Sequence, residues 1–244
     1  MKVFAVGTGC TWFKRNNTSF IIDEKVLFDT PSGSYKDIIK KIDIFKLDGI
    51  IISHFHADHF GDFQVFATRF MRESEKQGRT KKLKIFGPVG ILDKLVSLNT
   101  LLYGAEDECN KELFKEKIDF VEVSDGDEFE LSGYKVKVYA VDHGRCPCLG
   151  FSFKDEKGKV ISFSADTREC DNLLKMLEIS DVAFVDMAAP VPAKTHLDCE
   201  RFVELQAMYP NCEMWPVHTS DECQQFAIEK GMRYLNDFDE IIID

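Results

Sequence analysis

The segment 52–62, ISHFHADHFGD, constrains this chain more than any other part of its sequence. It places His54, His56, Asp58 and His59 within six positions. A continuous apolar run before it predicts a strand buried on both faces, and an apolar stripe after it predicts an amphipathic helix. The imidazoles and the carboxylate are therefore expected on a loop that leaves a buried strand, where binding and catalytic residues concentrate.

This composition and spacing indicate a metal site. Alternate residues on an extended backbone point the same way, so His54 and His56 can bind one ion. Where the chain turns into the helix, Asp58 and His59 can reach a second ion. Imidazole and carboxylate ligands without adjacent cysteine pairs suit a catalytic zinc-type site better than a closed structural one. One loop cannot complete two coordination shells, so further ligands must come from elsewhere in the chain.

Three further candidates lie just past the carboxyl ends of predicted strands, namely His143, Asp166 and His218. Taken singly, each is more often a structural residue than a ligand. Their shared position indicates that one edge of the sheets gathers them beside the histidine motif. The sixth histidine, His196, is either a core residue or a catalytic group.

Short apolar runs bounded by turn residues predict strands, and runs with helical spacing between them predict helices. The predicted strands are 3–6, 19–22, 26–28, 49–52, 136–141, 160–163, 182–185 and 213–217. The predicted helices are 35–42, 63–71, 91–96 and one opened by a capping box of Thr219 and Glu222. This order favours an α/β fold in which two mixed sheets pack face to face with helices outside. No linker is evident, so we expect one domain over residues 1–244.

The composition constrains which partners the protein can bind and where in the cell it is expected. A net charge of −11 and a pI near 5.1 disfavour a protein whose whole surface binds nucleic acid. No apolar stretch approaches the roughly 20 residues of a membrane span, and no signal peptide is evident, so we expect a cytoplasmic protein with reduced cysteines and no membrane partner. Cys146 and Cys148 are interpreted as free loop thiols, with redox chemistry or extra metal binding as alternatives.

Taken together, the candidate ligands resemble those of the metallo-β-lactamase superfamily in residue type and order. The resemblance implies a four-layer αββα sandwich with the helices on its outer faces. It implies that one ion is bound by His54, His56 and His143 and the other by Asp58, His59 and His218, with Asp166 bridging both. It also implies that Asp29 steadies the motif loop from outside the coordination shells. The implied cofactor is two divalent ions per chain, zinc first, with manganese or iron as alternatives.

Within that superfamily the sequence resembles the ribonuclease Z-like phosphodiesterases. The matching features are 7–9, 15–19, 86–88, 164–168 and the late histidine His196. In that branch the matching histidine assists at the scissile phosphate. Two departures weigh against tRNA processing: the interval between His143 and Asp166 has room for little more than a hairpin in place of a tRNA-binding arm, and the segment after His218 lacks the usual arginine.

The predicted activity is hydrolysis of a phosphodiester, in a small molecule or in single-stranded nucleic acid, through a metal-bridging hydroxide. Asp58 is expected to orient that hydroxide, and His196 to donate to the departing oxygen or to a developing oxyanion. Three cations that flank the ligands are expected to contact an anionic substrate. They are Arg145, Arg168 and Lys194.

Several other functions stay open on the same residues. One is hydrolysis of a thioester, a lactone or a β-lactam, and another is tRNA 3′ processing as an endonuclease. A different class is a non-heme iron oxidoreductase, and a fourth is an inactive module that keeps metal for stability. Assembly as a homodimer is also left open.

Overall fold

A computed structural model describes residues 1–104 and 107–244 of the chain, with the backbone alone at 107–110. In this part of the chain the first sheet has seven strands in the order β13-β1-β2-β3-β4-β5-β6. Its strands are β1 (Lys2–Gly7), β2 (Ser19–Ile22), β3 (Val26–Phe28), β4 (Gly49–Ile51), β5 (Leu83–Gly87), β6 (Ile118–Glu122) and β13 (Glu240–Ile242). Strands β3 to β6 pair in parallel, and the pairs β13–β1, β1–β2 and β2–β3 are antiparallel.

The second sheet has six strands within the described residues, in the order β12-β11-β10-β9-β8-β7. They are β7 (Glu128–Leu131), β8 (Tyr134–His143), β9 (Cys146–Lys154), β10 (Val160–Phe163), β11 (Val182–Asp186) and β12 (Glu213–Val217). Strands β10, β11 and β12 are parallel to one another, and the rest of the sheet is antiparallel. Both sheets are mixed, as predicted.

Helices cover the outer face of each sheet. They are α1 (Tyr35–Lys41), α2 (Ala57–Phe60), α3 (Phe63–Glu73), α4 (Ile91–Tyr103), α5 (Asp107–Lys117), α6 (Asp171–Ile179), α7 (Cys199–Met208) and α8 (Asp221–Glu229). Apolar side chains of α1, α3 and α4 pack on the first sheet, and those of α6, α7 and α8 pack on the second. The architecture is the αββα sandwich that the resemblance implied.

Phenylalanine rings fill the space between the sheets. Phe20 and Phe28 of the first sheet contact Phe163 of the second, with ring centroids 5.1 and 5.0 Å apart. Phe163 also stacks on Phe184, at 4.9 Å. Burial of these rings and their mutual contacts hold the two sheets together and thereby fix the relative positions of the loops at the sheet edges.

Two predictions about local structure have clear outcomes. The interval between His143 and Asp166 forms the β9–β10 hairpin, as expected. The prediction that Thr219 caps α8 was wrong, because Ser220 is the N-cap and its Oγ accepts a hydrogen bond from the Cys223 N–H. In the described part of the chain, every helix is too short or too polar to cross a membrane.

Candidate metal centre

The loop after β4 carries the histidine motif. His54 lies in the loop, His56 is the N-cap of α2, and Asp58 and His59 lie inside that helix. The carbonyl of His59 accepts a hydrogen bond of 2.8 Å from the Thr30 N–H, just beyond β3. Since β3 and β4 are parallel neighbours, this bond fixes the motif at the carboxyl edge of the first sheet.

The second sheet supplies the other candidates at its own edge. His143 is the last residue of β8, Asp166 follows β10, and His218 follows β12. Ala165 and His218 adopt left-handed backbone conformations, with φ of 54° and 55°. Such conformations are uncommon outside glycine and turn the chain sharply as each strand ends. The turns place Asp166 and His218 beside the motif of the first sheet.

The seven candidate ligands form two adjoining groups. Ligand-type atoms lie within 4.8 Å of one another among His54, His56, His143 and Asp166, and likewise among Asp58, His59 and His218. Asp166 lies between the groups. Its Oδ1 is 3.1 Å from His59 Nε2, and its Oδ2 is 3.3 Å from His218 Nε2 and 3.7 Å from both His54 Nε2 and His143 Nε2. The structure therefore brings together every residue that the sequence proposed as a ligand.

Buried polar atoms in this cluster fit divalent cations. Among the described residues, His54 Nε2 is buried and makes no hydrogen bond. His59 Nε2 and Asp166 Oδ1 are also buried and, although 3.1 Å apart, lack the geometry of a hydrogen bond. Unpartnered buried polar atoms are rare because each costs its lost hydration. Imidazole nitrogens and carboxylate oxygens are also the ligands that zinc and related ions prefer. The residues present thus fit a metal site.

Burial and mutual contact shift the pKa values of the cluster. Burial lowers the pKa of His54 and of His218, which leaves their rings neutral and able to bind metal. Burial opposes the charge on Asp166, but His218 and His59 lower its pKa well below the usual value. Burial also opposes a charge on His59, yet Asp166 and Asp29 raise its pKa. Metal binding at His59 would therefore release a proton.

Asp29 is fully buried beneath the motif loop. Its Oδ1 accepts from the Ser53 N–H at 2.7 Å, and its Oδ2 accepts from the Ser53 hydroxyl at 2.7 Å and lies 2.7 Å from His59 Nδ1. One carboxylate thus holds both the backbone and a ligand ring. This is the position expected of a residue that orients His59 without binding metal itself.

Asp29→Asn is expected to weaken metal binding about 10- to 100-fold, the usual effect of losing a partner of a ligand histidine. Asparagine keeps the volume but has one acceptor oxygen for the three groups that now donate to Asp29. Zinc affinity measured by competition with a chelator tests this expectation. Asp93→Asn is the matched control, because its carboxylate is exposed and pairs with the half-buried Lys111. Equal zinc affinity in both variants would contradict the role of Asp29.

The sequence did not reveal the partner of His196. Asp186, the buried last residue of β11, lies with Oδ2 2.8 Å from His196 Nδ1. It also accepts from the N–H groups of Thr167 and Ala188, at 2.8 and 2.9 Å. Burial opposes a charge on His196, but Asp186 raises its pKa to about 9. The sequence could have indicated Asp186, because it is an acidic residue at the end of a predicted strand, as Asp166 is.

An open cavity of about 830 Å³ leads to the cluster. Its walls include His56, Asp58, His143, Asp166, His196 and His218. Of the three cations expected near the substrate, Arg145 lines this cavity. Arg168 instead lines a neighbouring depression, where its guanidinium donates to Asp142 at 2.7 and 2.8 Å. Lys194 is exposed next to Thr195 of the cavity wall.

Cys146 and Cys148 lie close to the candidate ligands and are free thiols. Cys146 lines the cavity, and Cys148 is buried with Sγ 3.5 Å from His54 Nδ1. Burial raises the pKa of both thiols, which keeps them protonated and poorly reactive at neutral pH. Five more cysteines are free in the described part of the chain, and the side chain of Cys109 lies outside it.

Comparison with known proteins places the chain in a family. The family described as "Anti-Pycsar protein Apyc1" matches residues 1–239. The chain belongs to this family. Its fold is the metallo-β-lactamase fold of the ribonuclease Z-like type.

Relatives and solved structures agree on that fold. Ribonuclease Z of Methanosarcina mazei is 31% identical over 158 residues, which are 62% of this chain and 48% of the relative. The chain thus spans about half the length of the curated relatives that it matches. The metallo-β-lactamase fold protein YhfI of Bacillus subtilis superposes with a TM-score of 0.76 at 14% identity, covering 98% of each chain. The short form of human tRNase Z superposes with a TM-score of 0.72 at 19% identity, covering 100% of each.

Proposed function

We propose that this Apyc1-family chain is a metal-dependent phosphodiesterase that acts on a small phosphodiester or on single-stranded nucleic acid. The observation that supports it is the pair of adjoining ligand groups, with Asp166 between them, at an open cavity. A purely structural ion would be closed off by its ligands, whereas this cluster faces the cavity. The family description also names an action against Pycsar, and we propose that role for the chain.

The proposed cofactor is two divalent ions per chain, zinc first. The group of His54, His56 and His143 would hold one ion, the group of Asp58, His59 and His218 the other, and Asp166 both. When bound, two such ions lower the pKa of water towards neutrality and stabilise charge on a phosphodiester.

The side chains around the ligands have distinct proposed roles. Asp58 lines the cavity, where its carboxylate can accept a hydrogen bond from the attacking water and orient it. His196 has Nδ1 engaged by Asp186, so Nε2 is the nitrogen left to donate a proton to the departing oxygen. Arg145 offers guanidinium donors to the phosphate oxygens.

Substrate size follows from what surrounds the cavity. The segment between β8 and Asp166 consists of the β9–β10 hairpin and its short turns, and both strands pair within the second sheet. No segment there protrudes to bind a folded RNA among the described residues. Together with the net charge of −11, this favours a small phosphodiester over a precursor tRNA.

Turnover of a substrate panel by metal-loaded protein tests the proposal. We expect hydrolysis of bis(p-nitrophenyl) phosphate, loss of that activity on chelation and its return on adding zinc or manganese. Thioesters, lactones, a chromogenic β-lactam and a precursor tRNA complete the panel. Faster turnover of a thioester, a lactone or the β-lactam would replace the phosphodiesterase assignment with the corresponding hydrolase, and faster cleavage of the precursor tRNA would contradict the preference for a small substrate. Metal analysis that found one tightly held iron and no hydrolysis would favour an oxidoreductase.

A further inference from the structure

An aromatic loop borders the mouth of the cavity. This loop, residues 10–16, lies within the connection between β1 and β2 and carries Trp12 and Phe13 side by side. The Trp12 side chain is 94% exposed and that of Phe13 is 41% exposed, and both line the cavity that holds the candidate ligands. Tryptophan is highly buried on average, so nearly complete exposure beside a site needs an explanation.

The base of the aromatic loop is fastened to the segment that carries His218. The Gly9 N–H donates to the Asn16 carbonyl at 2.9 Å, which closes the loop. The Arg15 guanidinium donates to the carbonyl and to the hydroxyl of Thr219, the residue after His218. The loop is thus positioned by the same backbone that positions a candidate ligand.

Close packing under the loop limits its freedom further. A Cβ added to Gly7 would lie 2.4 Å from the carbonyl oxygens of Asn16 and Asn17, so the end of the loop packs directly against this glycine. This contact explains why residue 7 is a glycine. The loop base cannot shift towards or away from the site without losing these contacts.

The backbone of Trp12 is strained. Its φ is 80°, in the left-handed region that bulky side chains rarely adopt. Such conformations persist only where the surrounding structure enforces them, and they cluster at binding sites. A strained backbone that holds an indole in solvent at the cavity mouth is consistent with a ring kept in place for a ligand.

We propose that Trp12 stacks on the nucleobase of a phosphodiester substrate, with Phe13 extending the apolar wall. The inference rests on the proposed function, because the phosphate must lie at the metal ligands and Arg145 for a base to reach the mouth. A cavity of about 830 Å³ lies within the range of small-molecule sites and suits a nucleotide with one or two bases. Stacking on an aromatic face tolerates every base, so Trp12 gives affinity for a base without reading its identity.

Tryptophan fluorescence of the metal-loaded full chain tests the proposal. The sequence has two tryptophans, and the second, Trp215, is half-buried with Nε1 donating to Glu213 at 3.0 Å. AMP and UMP should quench the emission of wild type and of Trp215→Phe, and they should leave that of Trp12→Phe unquenched. Ribose 5-phosphate carries the same sugar and phosphate without a base, so it should quench none of the three.

Affinity measured by calorimetry gives a second readout. Trp12→Ala should bind AMP about tenfold more weakly, since aromatic stacking contributes on that order, while its affinity for ribose 5-phosphate stays within about twofold of wild type. Trp12→Phe should retain most of the AMP affinity. Equal weakening for AMP and ribose 5-phosphate would overturn the stacking role. So would an indole emission that shifts with protein concentration alone, because a second copy would then cover Trp12.

Wild-type turnover of bis(p-nitrophenyl) phosphate, measured in the same preparation, separates the two hypotheses. Its absence contradicts the proposed function. Its presence, together with the same AMP affinity in wild type and Trp12→Ala, contradicts the stacking role alone.

Discussion

Asp166→Asn is expected to remove most bound metal and to lower phosphodiester turnover by more than a hundredfold. Losing a residue outside the coordination shell already costs roughly 10- to 100-fold. Asp166 lies between the two ligand groups, close to histidines of both. Asparagine keeps the shape but removes the charge and one of the two oxygens that lie 3.1 to 3.7 Å from four histidines. Metal analysis of the purified protein and initial rates at fixed free zinc measure the two effects.

A matched substitution controls for the loss of a carboxylate elsewhere. Asp119 lies in an exposed ion pair with Lys82 at 3.4 Å, and such pairs contribute little to stability. Asp119→Asn should therefore retain metal and activity. If Asp166→Asn kept about two ions per chain at wild-type affinity, Asp166 would not bridge the two ligand groups.

His196→Ala is expected to lower turnover of phosphodiesters with poor leaving groups by about 10²- to 10⁴-fold, the usual contribution of a general acid, while metal content stays unchanged. A p-nitrophenolate departs without being protonated, so turnover of bis(p-nitrophenyl) phosphate should fall much less. Rates for a dinucleotide and for bis(p-nitrophenyl) phosphate, measured with the same variant, give the contrast. Equal loss on both substrates would assign His196 a role in binding or folding instead.

The variant Asp186→Asn tests whether Asp186 acts by orienting the His196 ring. The variant keeps the volume at a buried position and removes the charged acceptor that lies 2.8 Å from His196 Nδ1. It should show the same contrast between leaving groups as His196→Ala, with a smaller loss. A uniform loss on both substrates would mean that the bonds from Thr167 and Ala188 to Asp186 matter more than its contact with His196.

The convergence of the candidate ligands could be predicted from the sequence, because the histidine motif is local and the other candidates lie at strand ends. Three imidazoles in one short loop are rarely anything but a metal motif, and strand ends at one sheet edge lie close together. His143, Asp166 and His218 were found by that rule. The sandwich followed from short buried strands that alternate with amphipathic helices.

Several strands and the cap of α8 could not be predicted, because they depend on contacts between residues far apart in the sequence. The short strands β6 and β7 have acidic residues among their apolar ones and lie at sheet edges, so their pattern resembles that of loops. The strand β5 also escaped prediction, because Lys84 interrupts its apolar run with a side chain exposed between buried neighbours. Thr219 was expected to cap α8, yet Arg15 engages its hydroxyl from a segment 204 residues away.

The contribution of both sheets to one cluster has a thermodynamic consequence. Ions held there would cross-link the halves of the sandwich, so their binding energy would add to the free energy of unfolding. At a free metal concentration one hundred times the dissociation constant, that linkage is about 2.7 kcal/mol. The melting temperature of this protein would then report the availability of metal in its surroundings.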